Sequence, residues 1–319
     1  MTRKVLITGG LGYVGSRVAQ ALMAQPGLHV TICDRRPLAN PPAWLQAADT
    51  LIIDLLAADD LTSVCRGCWC IVHLAAPNEI DSASDPLNAL LVNGAGTLKL
   101  LEAAQRAGVE RFVYFSTAHI YGAPLAGSIT EQTLPRPVHP YSITHRVAED
   151  FVLAARDQGK IQGMVFRLSN GFGAPAHAEV NRWTLVVNDL CRQAVTDGVL
   201  VLHSSGLQRR DFITLTDVAN AVTHFLNLPV AAWSDGLFNL GGGCSLRILD
   251  VAELVARRAQ EVLGIAPPIQ RPDPGRGEEP QALAYSIDKL KATGFSLSQN
   301  FDEEIDATLR FCQAFSRGQ

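Results

Sequence analysis

The stretch from Lys4 to Asp34 constrains the fold of this chain more than any other. A short β-branched apolar run, Lys4–Thr8, ends in Gly9-Gly10-Leu11-Gly12-Tyr13-Val14-Gly15. A segment with helical spacing follows (Tyr13–Ala24, with Val14, Val18, Ala21 and Leu22 as its apolar positions), and it stops near Pro26-Gly27. His29–Cys33 is the next strand-like run and ends at Asp34. Glycine lets a strand turn tightly into a helix, and a bare backbone lets a pyrophosphate approach the unpaired N–H groups at the positive end of that helix. An acid about 20 residues further on stands where a carboxylate meets the diol of an adenosine ribose. A tight turn without a ligand accounts for the glycines but not for Asp34 at that offset. The acid favours NAD over NADP, because it would repel a 2′-phosphate. Arg35 beside it keeps NADP as the minor alternative.

The alternation continues through the first half. Leu51–Ile53, Cys70–Leu74, Phe112–Ser116 and Met164–Leu168 read as buried strands, with a short helix from Asp59 and long helices over Pro86–Ala107 and Pro140–Gln158. Strands alternating with helices imply an α/β chain, a Rossmann-type doubly wound parallel sheet covered on both faces. After about Asn170 the rhythm changes. Loops rich in proline and glycine, as at Gly171–Pro175, separate helices predicted at Trp183–Thr196, Thr216–Leu226, Leu249–Leu263 and Asp302–Phe315. The expected organisation is a dinucleotide-binding domain over 1–169. A smaller C-terminal α/β substrate-binding lobe spans 170–319, with some segments returning to the first domain.

The 319 residues are 47% hydrophobic and 18% charged, ample for a large core. A formal net charge of −4 gives no electrostatic reason to expect a nucleic-acid or membrane partner. The N-terminal apolar run is broken at once by glycines, unlike a signal peptide. No apolar run approaches the ~20 residues that cross a bilayer, so a cytoplasmic location is expected. Cys65, Cys68 and Cys70 in CRGCWC tempt a metal reading, but no partner Cys/His cluster follows at zinc-site spacing. These cysteines read as small hydrophobes, and no metal is expected.

Further motifs carry a resemblance. TGGLGYVG at 8–15 is followed by Asp54-Leu55, HLAA at 73–76, Asn93 in VNGAGTLKLLEAA, FSTAHIYG at 115–122 and PYSITH at 140–145. Then come RLSNGFGAP at 167–175, RRDFITLTDVANAV at 209–222, FNLGGG at 238–243 and YSIDKLKATGF at 285–295. In this order and spacing the chain resembles the extended short-chain dehydrogenase/reductase family, in particular its NAD-dependent nucleotide-sugar epimerases, dehydratases and reductases. The resemblance covers nearly the whole length.

The resemblance implies roles by position. Gly9, Gly12, Tyr13 and Val14 would hold the pyrophosphate, Asp34 and Arg35 the adenosine ribose, and Asp54 and Leu55 the adenine. Leu74, Ala75, Ala76, Asn93, Ser116, Ser169 and the catalytic pair would complete the cofactor site. Thr117 fills the place of the Ser/Thr that orients the reacting sugar hydroxyl, and Tyr141 that of the acid/base tyrosine. Thr117, His119, Asn170, Arg210 and Arg276 would hold a nucleotide-diphosphate sugar, which needs guanidinium forks and amide donors. A homodimer through the two long helices is also implied. The expected reaction is oxidation and reduction at the C4 hydroxyl, 4-epimerase-type. A 4-keto-sugar reductase and a non-catalytic NAD-binding sensor or scaffold stand as alternatives.

One position departs from the pattern. The family pairs Tyr-x-x-x-Lys on one helix face, whereas Tyr141-Ser142-Ile143-Thr144-His145 carries histidine at i+4. Three readings follow, in order: His145 is protonated and does the lysine's work, the enzyme runs mainly in the reductive direction, or the site is degenerate. After Thr117, Ala118-His119 replaces the Asp-Glu pair of 4,6-dehydratases, which argues against that chemistry. Glu131 and His139 are expected to be structural or solvated.

Overall fold

The structure, a computed structural model, describes residues 2–279 and 281–317, with side chains through residue 315. The first half runs β1 (Arg3–Thr8), α1 (Tyr13–Met23), β2 (Leu28–Asp34), β3 (Asp49–Ile52), α2 (Leu61–Cys65) and β4 (Cys68–His73). It continues with α3 (Glu79–Ser84), α4 (Pro86–Ala89), α5 (Thr97–Arg106), β5 (Arg111–Thr117), β6 (Gly127–Ile129), α6 (Pro140–Asp157) and β7 (Gln162–Leu168). Next come β8 (Asn170–Phe172), α7 (Val186–Thr196), β9 (Leu200–Val201), β10 (Arg209–Thr214) and α8 (Leu215–Asn227). The chain closes with β11 (Leu237–Leu240), β12 (Ser245–Arg247), α9 (Ile248–Leu263), β13 (Ile269–Gln270), β14 (Leu283–Tyr285), α10 (Asp288–Lys291) and α11 (Phe301–Arg317).

Seven strands form one parallel sheet in the order β3-β2-β1-β4-β5-β7-β11. The residues of β5 are buried throughout, as a strand covered on both faces requires. Side chains alternate between two cores. Val5, Ile7, Ile32, Val72 and Phe166 pack with Val18 and Leu22 of α1 and with Val222 and Phe225 of α8. Leu6, Ile71, Phe112 and Val165 pack with Leu100 and Ala104 of α5 and with Ala148 and Val152 of α6. The CRGCWC run divides the same way: Cys65 and Cys68 enter the second core and Cys70 the first. A third cluster, with Phe172, Leu190, Phe212, Val255 and Leu309, lies under α7, α9 and α11.

The helix predicted over Pro86–Ala107 is present but not uniform. Between α4 and α5 it widens into a π-helical stretch, Leu90–Gly96. Gly94 there lies against Val147 of α6, and Asn93 donates through Nδ2 to Thr144 Oγ1 at 2.9 Å. This close approach to α6 is absent from the chain's own periodicity. No described helix is long and apolar enough to cross a membrane.

Candidate active site

The strand order reverses between β1 and β4, so the connections leave in opposite directions and open a crevice at the carboxyl ends of the strands. It encloses ≈ 1360 Å³. One end is built by the first βα turn. A Cβ on Gly15 would stand 2.2 Å from the Gly9 carbonyl oxygen, so glycine alone lets α1 start against the turn. Gly9, at φ +67°, faces the backbone of Leu74 and Ala75, where a Cβ would come within 2.7 Å. The helix is capped by Gly12 without any side-chain acceptor, which leaves its first N–H groups open to an anion. Tyr13 lends the turn only its backbone, because its hydroxyl donates to the Gly173 carbonyl at 2.8 Å and pairs with Asn188. Asp34 closes the end of β2 and accepts from Leu11 N at 3.1 Å and Arg35 N at 2.8 Å.

Asp54, Leu55, Leu74, Ala75, Ala76, Ser116 and Ser169 line the same crevice, as do Val14 and Arg35. Asn93 is not among its lining residues; it is buried behind them. The polar atoms Ser116 Oγ, Asn93 Oδ1 and His145 Nε2 are buried and make no well-formed hydrogen bond among the described residues. A glycine cradle that a Cβ would fill, together with the orphaned Ser116 Oγ and His145 Nε2 among the lining residues, fits a dinucleotide.

The other end holds the reactive candidates. Thr117 ends β5 and accepts from His119 N at 3.2 Å. Tyr141 sits in the first turn of α6, where Pro140 starts the helix and His139 caps it by accepting from Tyr141 N. Its ring meets the His145 ring edge-on, centroids 4.4 Å apart. Burial pushes the Tyr141 phenol up to about 12, with Arg182 pulling it down and Glu79 pushing it up. Tyr141 is therefore a proton donor at rest.

His145 does not take the lysine's part by charge. It is buried, its Nδ1 lies 2.7 Å from the Tyr114 hydroxyl, and burial pushes its pKa down to about 4 against a weaker opposing pull from Phe115. Burial thus favours the neutral imidazole over the protonated one expected from sequence, since the buried carboxylate one turn further along α6, Glu149, is taken up by Arg167. His73 behaves likewise: it is held by Thr8 Oγ1 at 2.5 Å and Thr97 Oγ1 at 2.9 Å and pushed down to about 3 by burial.

His119, Asn170 and Arg210 line the crevice; Arg276 does not, and lies on an exposed loop. His119 is pushed down by its surroundings, then by Arg210 and His139 against Glu79. Asn170 donates to the Asp211 carbonyl at 2.8 Å. Glu131 accepts from Asn239 N at 2.9 Å, a structural contact. Among the lining residues that were not foreseen are Glu79 and Arg182, whose side chains meet at 2.9 Å. They lie 103 residues apart in the chain, and no local pattern marks such a pair.

A family model described as the NAD dependent epimerase/dehydratase family matches residues 5–241. The chain belongs to this family. It is an NAD-dependent enzyme on the fold expected of the resemblance. A UDP-glucose 4-epimerase of Azospirillum brasilense is 30% identical over 88% of this chain and 83% of its own length. A dTDP-D-glucose 4,6-dehydratase of Mus musculus is 26% identical over 81% of this chain and 74% of its own. Among solved structures, the UDP-glucose 4-epimerase of Thermus thermophilus in complex with NAD superposes with a TM-score of 0.79. It is 27% identical, and the match covers 97% of this chain and 99% of that one.

Proposed function

We propose that the enzyme interconverts a nucleotide-activated sugar at C4, epimerase-type, using tightly held NAD. The observation that carries this reading is the meeting, in one crevice, of the glycine cradle, Thr117, Tyr141 and the guanidinium of Arg210. Bound NAD would supply reversible hydride acceptance at the sugar carbon. Residues 1–169 would hold it: Gly9, Gly12, Tyr13 and Val14 by backbone at the pyrophosphate, Asp34 at the ribose, with Asp54 and Leu55 nearby. Ser116 Oγ and His145 Nε2 would satisfy polar groups deeper in the crevice.

Removing hydride from a carbinol yields a carbonyl only if the hydroxyl proton leaves, so an acid/base must stand at that oxygen. Tyr141 fills that role and Thr117 orients the hydroxyl. Asn170 and Arg210 belong to the substrate side (170–319), where a diphosphate requires cationic and amide donors. Arg276 would serve only if its loop approached a bound nucleotide. The test is incubation of purified protein with UDP- and dTDP-hexoses, following nicotinamide absorbance and the configuration of the product at C4. Bound NAD with no turnover on any of them would overturn the reading.

A phenol held protonated beside a neutral histidine also suits proton donation to a keto sugar, so a 4-keto-sugar reductase is the second reading. Cofactor that co-purifies with the enzyme supports the epimerase; cofactor that must be added each turnover supports the reductase. A homodimer through the Pro86–Ala107 helix and α6 is proposed from apolar side chains left exposed on the two: Leu87, 67% exposed, with Leu91, Ile143 and Phe151. Sedimentation of the parent against Ile143→Glu tests it. A cytoplasmic setting is proposed from buried cysteines that form no bridge, Cys33, Cys65, Cys70 and Cys191 among them, which a reducing compartment maintains.

A further inference from the structure

The reaction proposed above needs a phenol that can lose its proton, yet position 145 holds a buried histidine where the family has lysine. The titratable side chains around the Tyr141 end of the crevice come from several elements, with Arg210 of β10 beside His119. His145 lies one turn along α6, and His139 caps that helix. Tyr114 comes from β5, His119 from the turn after β5, and Glu79 and Asp81 from α3. Arg182 comes from the loop before α7. Burial pushes the His145 imidazole down to about 4, partial desolvation in the crevice and then Arg210 push His119 down, and Asn78 donates to Asp81 at 2.9 Å. Arg210 acts on His119, whereas Arg182 is the cation that acts on Tyr141, and Glu79 is the carboxylate that holds it.

The pair joins two lips of the crevice, one following β4 and the other preceding α7. Its side chains are 39% and 22% exposed, so it contributes little to stability as an ion pair, and its placement calls for another reason. We propose that Arg182, held over the crevice by Glu79, is a positioning residue that supplies the positive charge facing the Tyr141 phenol in a chain with histidine rather than lysine at position 145. The Coulomb balance agrees in sign, since Arg182 favours the phenolate and Glu79 opposes it. This inference rests on Tyr141 being the acid/base.

The test reads Tyr141 directly and needs neither substrate nor turnover. Fluorotyrosine, whose phenol is intrinsically more acidic, replaces the five tyrosines, and ¹⁹F NMR follows each titration in parent, Glu79→Gln, Arg182→Gln and Arg182→Lys proteins. Tyr141→Phe assigns the resonance. A nearby charge moves a pKa by about 1–3 units, and the partial exposure of this pair puts the effect at the low end, about one unit. The Tyr141 midpoint should fall by that amount in Glu79→Gln, rise by it in Arg182→Gln, and stay near the parent in Arg182→Lys. Circular dichroism confirms that each variant is folded. Midpoints that do not move in either charge-removing variant overturn the proposal, as does an equal shift in Arg182→Lys and Arg182→Gln. A parent that binds NAD but turns over no nucleotide sugar sinks the functional reading while the titration still decides whether Arg182 sets the phenol.

Discussion

Adding one methyl group at Gly15 tests whether the cofactor cradle is built as described. The Cβ of Gly15→Ala would lie 2.2 Å from the Gly9 carbonyl oxygen and 2.9 Å from Gly10 Cα. Carbon–oxygen contacts settle near about 3.3 Å, so the start of α1 must retreat by roughly 1 Å. Overpacking of this kind costs about 1–3 kcal/mol, which lowers the melting temperature by about 2–12 °C. The same retreat draws the open N–H groups away from a bound pyrophosphate. Losing the equivalent of one charged hydrogen bond, about 1.5–3 kcal/mol, weakens NAD binding by roughly 10- to 100-fold. Gly27→Ala is the control: its φ is +80° and nothing lies within 4 Å of the added carbon, so backbone strain alone costs about 1–2 kcal/mol. Calorimetric titration with NAD and thermal melts of both variants separate the two effects. Gly27→Ala should lose stability and keep its affinity. A Gly15→Ala protein that binds NAD like the parent would refute the close approach of helix and turn.

Tyr141→Phe should lower turnover by about 10²–10⁴-fold with NAD affinity unchanged, as steady-state rates beside calorimetry would establish. Acid sensitivity follows from His145 at about 4 and His73 at about 3, both below the unfolded value of about 6.5. The unfolded chain binds the extra protons, so stability is present above about 6.5 and declines as pH falls toward 4, by about 2 kcal/mol per histidine at pH 5. Asp211 works the other way: burial pushes it up to about 7, so folding gains a proton there as pH falls. Urea melts of Asp211→Asn between pH 7 and 5 should therefore show a steeper loss than the parent. Glu149→Gln should cost about 3–5 kcal/mol in the same melts at pH 7, because it strands the buried Arg167 guanidinium that Glu149 holds through two 2.9 Å hydrogen bonds.

Much of the fold was legible because strand and helix periods are local. The spacing at Tyr13–Ala24 and the apolar runs at Phe112–Ser116 and Met164–Leu168 are each self-contained, and the structure places α1, β5 and β7 on them. The short strands beyond Leu168 were not legible, since β8, β10 and β12 take their character from pairing with one another. The cofactor end of the site was also local, a turn and an acid in one βαβ unit. The charge at Tyr141 was not. A protonated His145, the first of the three readings, leaves burial out of account because burial is invisible in sequence, and nothing local marks Arg182, whose partner lies in α3. The hydroxyl of Tyr13, aimed at Gly173 and Asn188, was likewise hidden by distance along the chain.

The seventh strand bears on how this enzyme can be made and dismantled. Val165–Leu168 of β7 is lined along its outer edge by Leu237–Leu240, supplied only after some seventy further residues have been synthesised. Until then a ribosome-bound nascent chain presents a bare apolar border, open to any extended peptide that passes. Expression truncated at residue 169 would keep the nucleotide motifs in print yet yield aggregates, and protease nicking before Leu237 would unseal both parts together.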